Sequence, residues 1–249
     1  MYKQVFFTIL ILTVMIPAGE QFSEEYHYVV NYFMMPSLDM KISLTYDYEF
    51  EGKKTGKINV TTETKNFFDK IFKIDNQYFT VFELSDKSCL YHQKKISQPN
   101  VTQNLQINYG EKMATYSNGE TRTFKTTQIY DFFSMLVYLR TVDCRRLETQ
   151  KIVIDMEGEF FRVNFIVEGT EGLSVGGENI QTRKIKLVYH KIDPKQPSVL
   201  DYTDIFFWKI AGESGEKYIW VEADKKKRII KARFSEGRGA LEAKLVEAR

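Results

Sequence analysis

The stretch that decides the fold reads KISLTYDYEF at residues 41–50. Apolar or aromatic side chains occupy every second position from Ile42 to Phe50, and polar side chains fill the positions between them. Because successive side chains of a β-strand point to opposite faces, this period of two indicates a strand with one buried face. The turn-forming run EGKKTG at 51–56 follows and alternation resumes at 57–62, so the two segments are predicted to form a hairpin.

Similar short segments follow along the rest of the chain. The dipeptide Asn118-Gly119 is a strong signal for a tight turn between two of them. The final segment, 240–247, combines helix-favouring composition with strand alternation, and we favour a strand. The sequence therefore predicts a mainly β fold built as an antiparallel meander. Its other strands are expected near 73–84, 88–96, 104–108, 112–117, 120–124, 151–156, 160–168, 181–189, 217–222 and 228–235.

One segment departs from the period of two. Between residues 127 and 141 the spacing of Phe132, Phe133 and Leu136 fits one face of a helix. Asp131 stands at a position suited to an N-cap, where a carboxylate accepts hydrogen bonds from free backbone N–H groups. This is the one substantial helix predicted beyond the N-terminal segment.

The N-terminal segment has the features of an export signal. Lys3 precedes an apolar run at 5–16, and Pro-Ala-Gly-Glu at 17–20 then breaks the pattern. A membrane-spanning helix needs about 20 apolar residues, which is more than this run offers. Residues 1–19 are therefore predicted to form a helical signal peptide, and an uncleaved anchor is the alternative.

The remaining residues, 20–249, are enough for one large β domain. No proline-rich linker, internal repeat or low-complexity segment divides them. We therefore predict a single β-rich domain, which is either continuous or built as two sheet lobes joined near 127–145.

The balance of acidic and basic residues indicates which classes of binding partner are favoured. The chain has 35 Lys and Arg against 33 Asp and Glu, a net charge of +2, so no strong field favours nucleic acid as a partner. The one dense basic run lies at 225–228 and is interpreted as a solvated hairpin turn, with a contact to anionic lipid headgroups as the alternative. At most a peripheral membrane contact is expected.

Two cysteines, Cys89 and Cys144, follow the export signal. In an oxidising compartment they could form one disulfide, worth on the order of 4 kcal/mol through loop closure. The alternative is two unpaired thiols, one buried in a strand and one in a loop. Sequence spacing does not decide between them, because the Cα separation that a disulfide requires is a property of the fold.

No catalytic or metal-binding motif rises above background. Cys89 and His92 have a metal-like spacing, but on a strand they face opposite sides. His27, His92 and His190 are predicted at the surface or at sheet edges. Glu157, like other carboxylates that alternate with apolar residues, is interpreted as part of a solvated sheet face. We therefore predict that the protein is not an enzyme and has no cofactor.

Short motifs along the chain resemble a known family. They are EEYHY at 24–28, DFFSMLVYLR at 131–140, a strand at 155–167, Gly177, residues 182–185, IWVEAD at 219–224, Arg228 and residues 239–245. In this order they resemble the bacterial domain-of-unknown-function family numbered 3108. That family usually has a proline directly after the aspartate of the helix motif, where this chain has Phe132.

The resemblance implies a location and a general shape. Members of the family are exported proteins of Gram-negative and related bacteria with no established activity, so a periplasmic location is expected. By analogy with envelope proteins that enclose acyl chains, we expect a curved sheet or half-barrel with the helix across its concave side.

The aromatic content points toward an apolar ligand. The 19 Phe and 15 Tyr exceed what sheet packing alone needs, which indicates an apolar cavity. The sequence therefore predicts a non-catalytic protein that binds or carries a lipid or another apolar or amphipathic envelope molecule. One alternative is an assembly protein that offers exposed sheet edges to an envelope protein, and another is an envelope enzyme. Residues expected to contact the ligand are Phe132, Phe133, Leu136, Tyr138 and Trp220, and residues expected to have structural roles are Asp131, Ser134, Arg140 and Asp224.

Overall fold

A computed structural model of the protein describes residues 23–32, 35–65, 72–212, 214–224, 226–237 and 239–249. The predicted signal peptide at 1–19 lies outside the described residues. The described strands are β1 Ser23–Tyr32, β2 Met35–Phe50, β3 Lys53–Thr64, β4 Asp75–Phe82, β5 Cys89–Gln98, β6 Val101–Gly110, β7 Met113–Tyr116, β8 Thr121–Thr123, β9 Lys151–Met156, β10 Glu159–Val175, β11 Glu178–Lys191, β12 Lys217–Glu222, β13 Ile229–Ser235 and β14 Ala240–Ala248. The described helices are α1 Phe132–Thr141, α2 Cys144–Leu147 and α3 Ile205–Ala211.

The fourteen strands form one antiparallel sheet, which confirms the predicted fold class. Their order is β8-β7-β6-β5-β4-β3-β2-β1-β14-β13-β12-β11-β10-β9. The first and last strands are neighbours inside the sheet, whereas its two edges, β8 and β9, follow one another in the chain. The segment 124–150 therefore passes from one edge to the other, and it carries α1 and α2.

The two ends of the sheet approach each other without closing into a barrel. The hydroxyls of Tyr109 on β6 and Tyr116 on β7 donate to Asp155 Oδ2 on β9, at 3.1 and 2.6 Å. The rings of Phe124 and Phe160 lie 5.8 Å apart across the same gap. The sheet is thus strongly curved, and these side chains contact one another across the gap between its ends.

The helix α1 begins at Phe132, five residues later than predicted. The preceding residues are used by the sheet instead. Cys89 N donates to Ile129 O at 2.8 Å, and Tyr130 N donates to Val153 O at 3.0 Å. Because these backbone groups bond to β5 and β9, the chain stays extended there and turns helical only after it.

The sequence pattern did not predict the helix α3. Its seven residues read IFFWKIA, which has too few polar positions to show a helical period. Phe206, Phe207 and Ile210 of this helix are buried in the main core together with α1. The same core contains inward-facing residues of β1–β5 and β9–β14, so both helices lie on the inner face of the curved sheet.

Candidate functional site

An apolar cavity of about 80 Å³ lies between the two helices and the inner face of the sheet. Its lining comes from α1, α3, β1, β2, β4, β13 and β14, and consists of aliphatic and aromatic residues. One water needs about 10–15 Å³ of such space, so the cavity is several-fold larger than a single water site. An empty apolar space of this kind favours an apolar occupant over water.

Three of the residues predicted to contact a ligand line this cavity. They are Phe132, Phe133 and Leu136, all on α1. Tyr138 is not part of the lining. It follows Leu136 by two residues, which places its side chain about 200° around the helix axis from that of Leu136. Its ring packs 5.2 Å from that of Tyr130, outside the cavity.

Trp220 lies on the opposite face of the sheet from the main core. Its neighbours along β12, Ile219 and Val221, both belong to that core, so alternation turns Trp220 the other way. The indole ring lies 5.9 Å from the ring of Tyr218, and the Lys231 ammonium lies 4.6 Å from its centroid. The structure therefore places this predicted ligand contact away from the cavity.

Asp131 and Ser134 form the capping box of α1. Ser134 N donates to Asp131 Oδ1 at 2.9 Å, and Asp131 N donates to Ser134 Oγ at 3.0 Å. The other carboxylate oxygen reaches the sheet. Asp131 Oδ2 accepts from Thr80 Oγ1 at 2.8 Å and lies 3.1 Å from His92 Nδ1. One aspartate thus starts the helix and fixes it to β4 and β5.

Asp204 does the same for α3. Its Oδ1 accepts from Phe206 N at 2.8 Å, which caps the helix, and from the hydroxyl of Tyr78 at 3.1 Å. Its Oδ2 accepts from Lys94 Nζ at 2.7 Å. A hydroxyl residue of β4 and a basic residue of β5 are again the partners.

We call these two clusters the anchors of α1 and α3. Their partners on the sheet occupy neighbouring positions of the strand pair β4 and β5. Tyr78 lies opposite Lys94, and Thr80 lies opposite His92, so both pairs project from the same face of the sheet. The anchor at α1 contacts the wall of the cavity, because the His92 ring stacks on the ring of Phe133, which lines the cavity, with 6.2 Å between the ring centroids. This duplicated arrangement holds two helices above the sheet and leaves the cavity between them.

The charge at the two anchors differs. Lys94 is fully buried and bonds to Glu157 as well as to Asp204, so one cation faces two carboxylates. Burial raises the pKa of Glu157, and the nearby Lys94 ammonium opposes that rise. At α1, burial favours a higher pKa for Asp131, but the His92 imidazole and hydrogen bonds from Ser134 outweigh it and lower the pKa to about 2.

His92 and Glu157 were wrongly placed by the sequence analysis. His92 is 3% exposed and Glu157 is 6% exposed, so neither belongs to a solvated surface. A sequence signal did exist, since His92, Lys94 and Ile96 share one face of β5. Ionisable residues in step with a buried isoleucine indicate a buried polar site. Of the other histidines, His190 is exposed.

The anchor at His92 is not arranged like a nucleophile and its general base. Thr80 and Asp131 both approach the same ring nitrogen, Nδ1, whereas a catalytic triad uses the two ring nitrogens for different partners. His92 Nε2 is buried and has no hydrogen-bond partner among the described residues. No three His, Cys, Asp or Glu side chains in the described ranges are placed to hold a metal ion together. The arrangement can therefore position helices and surround an apolar group.

The remaining predicted residues have structural partners. Arg140 forms an ion pair with Glu24 at 2.6 Å and donates to the hydroxyl of Tyr26 at 2.9 Å. Asp224 accepts from Lys226 N at 2.9 Å in the turn between β12 and β13, and Lys226 belongs to the predicted basic run. Nearby, Lys227 Nζ donates to Val142 O at 3.1 Å, so this lysine contacts the end of α1.

Both cysteines are free in the structure. Cys89 is buried at the start of β5, and burial raises the pKa of its thiol well above the usual range. Cys144 is half-buried at the start of α2. Cys89 lies in a strand as the alternative of two unpaired thiols predicted, whereas Cys144 lies on a short helix and not in a loop.

These features define a class of protein: one curved antiparallel sheet that wraps around capped helices and encloses an apolar cavity. The family model described as "Protein of unknown function (DUF3108)" matches residues 27–246. The chain belongs to this family, which confirms the resemblance seen in the sequence. None of the helices in the described ranges is long and apolar enough to cross a membrane.

Solved structures support the fold alone. A β-barrel-like protein of the unknown-function family DUF1849 from Brucella abortus is similar, with a TM-score of 0.57 and 11% identity over 91% of this chain and 97% of that one. A DUF1089 family protein from Pseudomonas aeruginosa covers 82% of this chain and 87% of its own at 9% identity, but its TM-score of 0.28 carries no argument. No curated protein matches the sequence.

Proposed function

We propose that the protein is a non-catalytic binding or carrier protein for an apolar or amphipathic molecule of the cell envelope. The observation that carries this proposal is the cavity between α1, α3 and the sheet, whose lining is aliphatic and aromatic throughout. Binding there removes apolar ligand surface from water, which is worth roughly 25 cal/mol per Å². The export signal predicted at 1–19 supports a periplasmic location.

Ligand entry requires the cavity to widen. At about 80 Å³ it is smaller than the roughly 150 Å³ cavity that admits benzene in an engineered protein. The helix α3 is the element suited to move, because it has seven residues against the ten of α1. Its outer face carries Trp208, which is 46% exposed. A shift of α3 away from the sheet would admit an alkyl chain between Phe207 and Phe133.

Sheet edges receive less support as the functional surface. The edge strand β8 has three residues, which offers a partner strand few hydrogen bonds. The other edge, β9, is already engaged, since Tyr130 N donates to Val153 O and Asp155 N donates to Tyr130 O. A partner that adds a strand would have to displace these bonds.

A cavity-filling substitution tests the proposal. Ala232 lines the cavity from β13, and Ala232→Phe fills the space. Binding of the apolar fluorescent probe N-phenyl-1-naphthylamine should weaken by about 5- to 150-fold, because forcing the probe into the filled space costs about 1–3 kcal/mol. The matched control is Ala223→Phe, at an exposed residue, which should bind within about twofold of the unsubstituted protein. Circular dichroism checks that both variants are folded.

Native mass spectrometry of the protein expressed with its own signal complements this test. A processed chain that retains a small apolar molecule supports both the export and the carrier role. A folded Ala232→Phe variant with undiminished probe binding would contradict the proposal, and so would a protein that binds no apolar probe.

A further inference from the structure

Two polar side chains are buried beside the apolar cavity with atoms left unpaired. Thr62 on β3 and Asn76 on β4 are both fully buried. Thr62 Oγ1 and Asn76 Oδ1 have no hydrogen-bond partner among the described residues. A buried polar atom without a partner costs about 1–3 kcal/mol, so natural proteins rarely leave two together without an occupant that bonds to them.

Strand register places both residues next to the cavity. Tyr28 pairs with Met40, Met40 pairs with Thr62, and Thr62 pairs with Asn76. These four residues form one row across β1, β2, β3 and β4. Paired residues on neighbouring strands project from the same face with Cβ atoms about 5 Å apart. Tyr28 and Met40 line the cavity, so the row passes directly from apolar wall to polar pair.

A hydrogen bond also connects Asn76 to a residue of the cavity wall, in addition to the strand register. We call Thr62 and Asn76 the polar pair. Asn76 Nδ2 donates to the hydroxyl of Tyr78 at 3.2 Å, and the side chain of Tyr78 lines the cavity. This bond fixes the amide with its oxygen, Oδ1, as the free group. Gln98 on the next strand adds a buried Nε2 that also lacks a partner among the described residues.

The unpaired atoms of Thr62 and Asn76 favour an uncharged ligand group over a charged one. Asn76 Oδ1 accepts a hydrogen bond, and Thr62 Oγ1 can donate or accept one. The nearest buried cation in the anchors is Lys94, which already bonds to Glu157 and Asp204. A charged headgroup at the pair would be buried without a counter-charge, which is far more costly than burying a hydroxyl.

We propose that Thr62 and Asn76 form the polar end of the ligand site and bind an uncharged hydrogen-bonding headgroup, such as a hydroxyl, on a single-chain amphipathic molecule. The alkyl chain lies in the cavity and the headgroup hydroxyl donates to Asn76 Oδ1 while accepting from Thr62 Oγ1. This inference rests on the proposed function, and it names the chemical class of the ligand.

A headgroup series on the full-length protein tests the inference. Displacement of N-phenyl-1-naphthylamine is measured with 1-octanol, octanoate and n-octane at pH 8, where octanoate is ionised. We expect 1-octanol to bind at least about tenfold more tightly than octanoate, since burial removes water from the ionised carboxylate and Lys94 is already bonded to Glu157 and Asp204. Moving a hydroxyl out of water into an apolar cavity weakens binding, so a purely apolar site would bind 1-octanol more weakly than n-octane. We expect the affinity of 1-octanol to exceed the value predicted for such a site.

An isosteric substitution locates the effect. Thr62→Val keeps the shape of the side chain and removes the hydroxyl, so 1-octanol affinity should fall about two- to tenfold with n-octane affinity unchanged. The control is Thr61→Val on the same strand, whose side chain faces the other side of the sheet and should leave both affinities unchanged.

The outcomes separate this inference from the proposed function. If the probe binds but the three ligands show no headgroup preference, or Thr62→Val leaves 1-octanol affinity unchanged, the polar pair holds only water and the inference is overturned while the cavity proposal stands. If neither the probe nor any of the three ligands binds, the proposed function fails and the inference fails with it.

Discussion

The two helices above the sheet are anchored by the same residue types but under different electrostatic conditions. At α1 the capping Asp131 faces the imidazole of His92 and the hydroxyl of Thr80. At α3 the capping Asp204 faces the side chain of Lys94, which Glu157 also contacts. The comparison indicates that α3 depends on one buried lysine that two carboxylates share, whereas α1 is the longer helix. We therefore expect α3 to be the more easily released of the two.

The largest expected effect comes from removing the cation at α3. Lys94→Met leaves Glu157 and Asp204 buried without their counter-charge, which should destabilise the protein by about 3–5 kcal/mol at pH 7. Urea unfolding measures the loss. Lys95→Met is the control, because this neighbour is exposed and its removal should change the free energy of unfolding by less than about 0.5 kcal/mol. Equal effects of the two substitutions would refute a special role for Lys94.

A further buried carboxylate, Asp155, lies at the seam of the sheet and accepts hydrogen bonds from the hydroxyls of Tyr109 and Tyr116. Burial raises the pKa of Asp155 to about 6, although hydrogen bonds from Tyr116, Gly158 and Tyr109 oppose the rise. Because the folded pKa lies above the unfolded one, this carboxyl favours the folded state below about pH 4. That contribution is lost as the pH rises through about 6, a change of about 3 kcal/mol.

Substitution of that carboxylate should change the pH profile accordingly. In Asp155→Asn, stability should fall less between pH 4 and pH 7 than it does in the unsubstituted protein. Urea unfolding across this range provides the measurement, and Asp201→Asn, at an exposed position, should keep the original profile. A profile of Asp155→Asn that coincides with that of the unsubstituted protein would show that Asp155 titrates normally.

The smallest expected effect concerns the cap of α1. The pKa of Asp131 is lowered to about 2, so its charge stabilises the fold above about pH 4, and this contribution of about 2 kcal/mol is lost as the pH falls through about 2. Asp131→Asn keeps an N-cap but removes the charge, so the variant should be about 2 kcal/mol less stable at pH 7 and approach the original stability at low pH.

A second cap of the same type supplies the control for this substitution. Asp143 caps α2 and pairs with Arg145, but both groups are exposed to solvent. Solvent screens that pair, so Asp143→Asn should change stability much less than Asp131→Asn does. If thermal or urea unfolding gave the same loss for both, burial would not be the source of the effect at Asp131.

Local patterns account for the part of the fold that the sequence predicted. The alternation from Ile42 to Phe50 depends on neighbouring residues only, and the structure contains that strand within β2. The spacing in α1 and the cap at Asp131 are local as well, so both were predicted correctly although the start of the helix was not. The exact start depends on bonds from Ile129 and Tyr130 to distant strands, which no local pattern contains.

The site was harder to predict because its parts are distant in the chain. Lys94 and Asp204 are separated by 110 residues and meet only through strand order and the path of the chain. Trp220 was assigned to the ligand because it is aromatic, but strand alternation decides which face it occupies. Its neighbours Ile219 and Val221 gave the needed signal, since two β-branched apolar residues flanking Trp220 indicate that they, and not the indole, face the core.

The pairing of the first described strand with the last has a consequence for how the protein acquires its structure. Glu25 N donates to Arg249 O at 3.1 Å, and Arg249 N donates to Glu25 O at 2.9 Å. Two walls of the cavity come from β13 and β14, so a growing chain cannot enclose the cavity until 240–248 has been made. Contacts over such long sequence separations slow folding. The enclosed cavity is therefore among the last features of the fold to form, because it needs the final described strand.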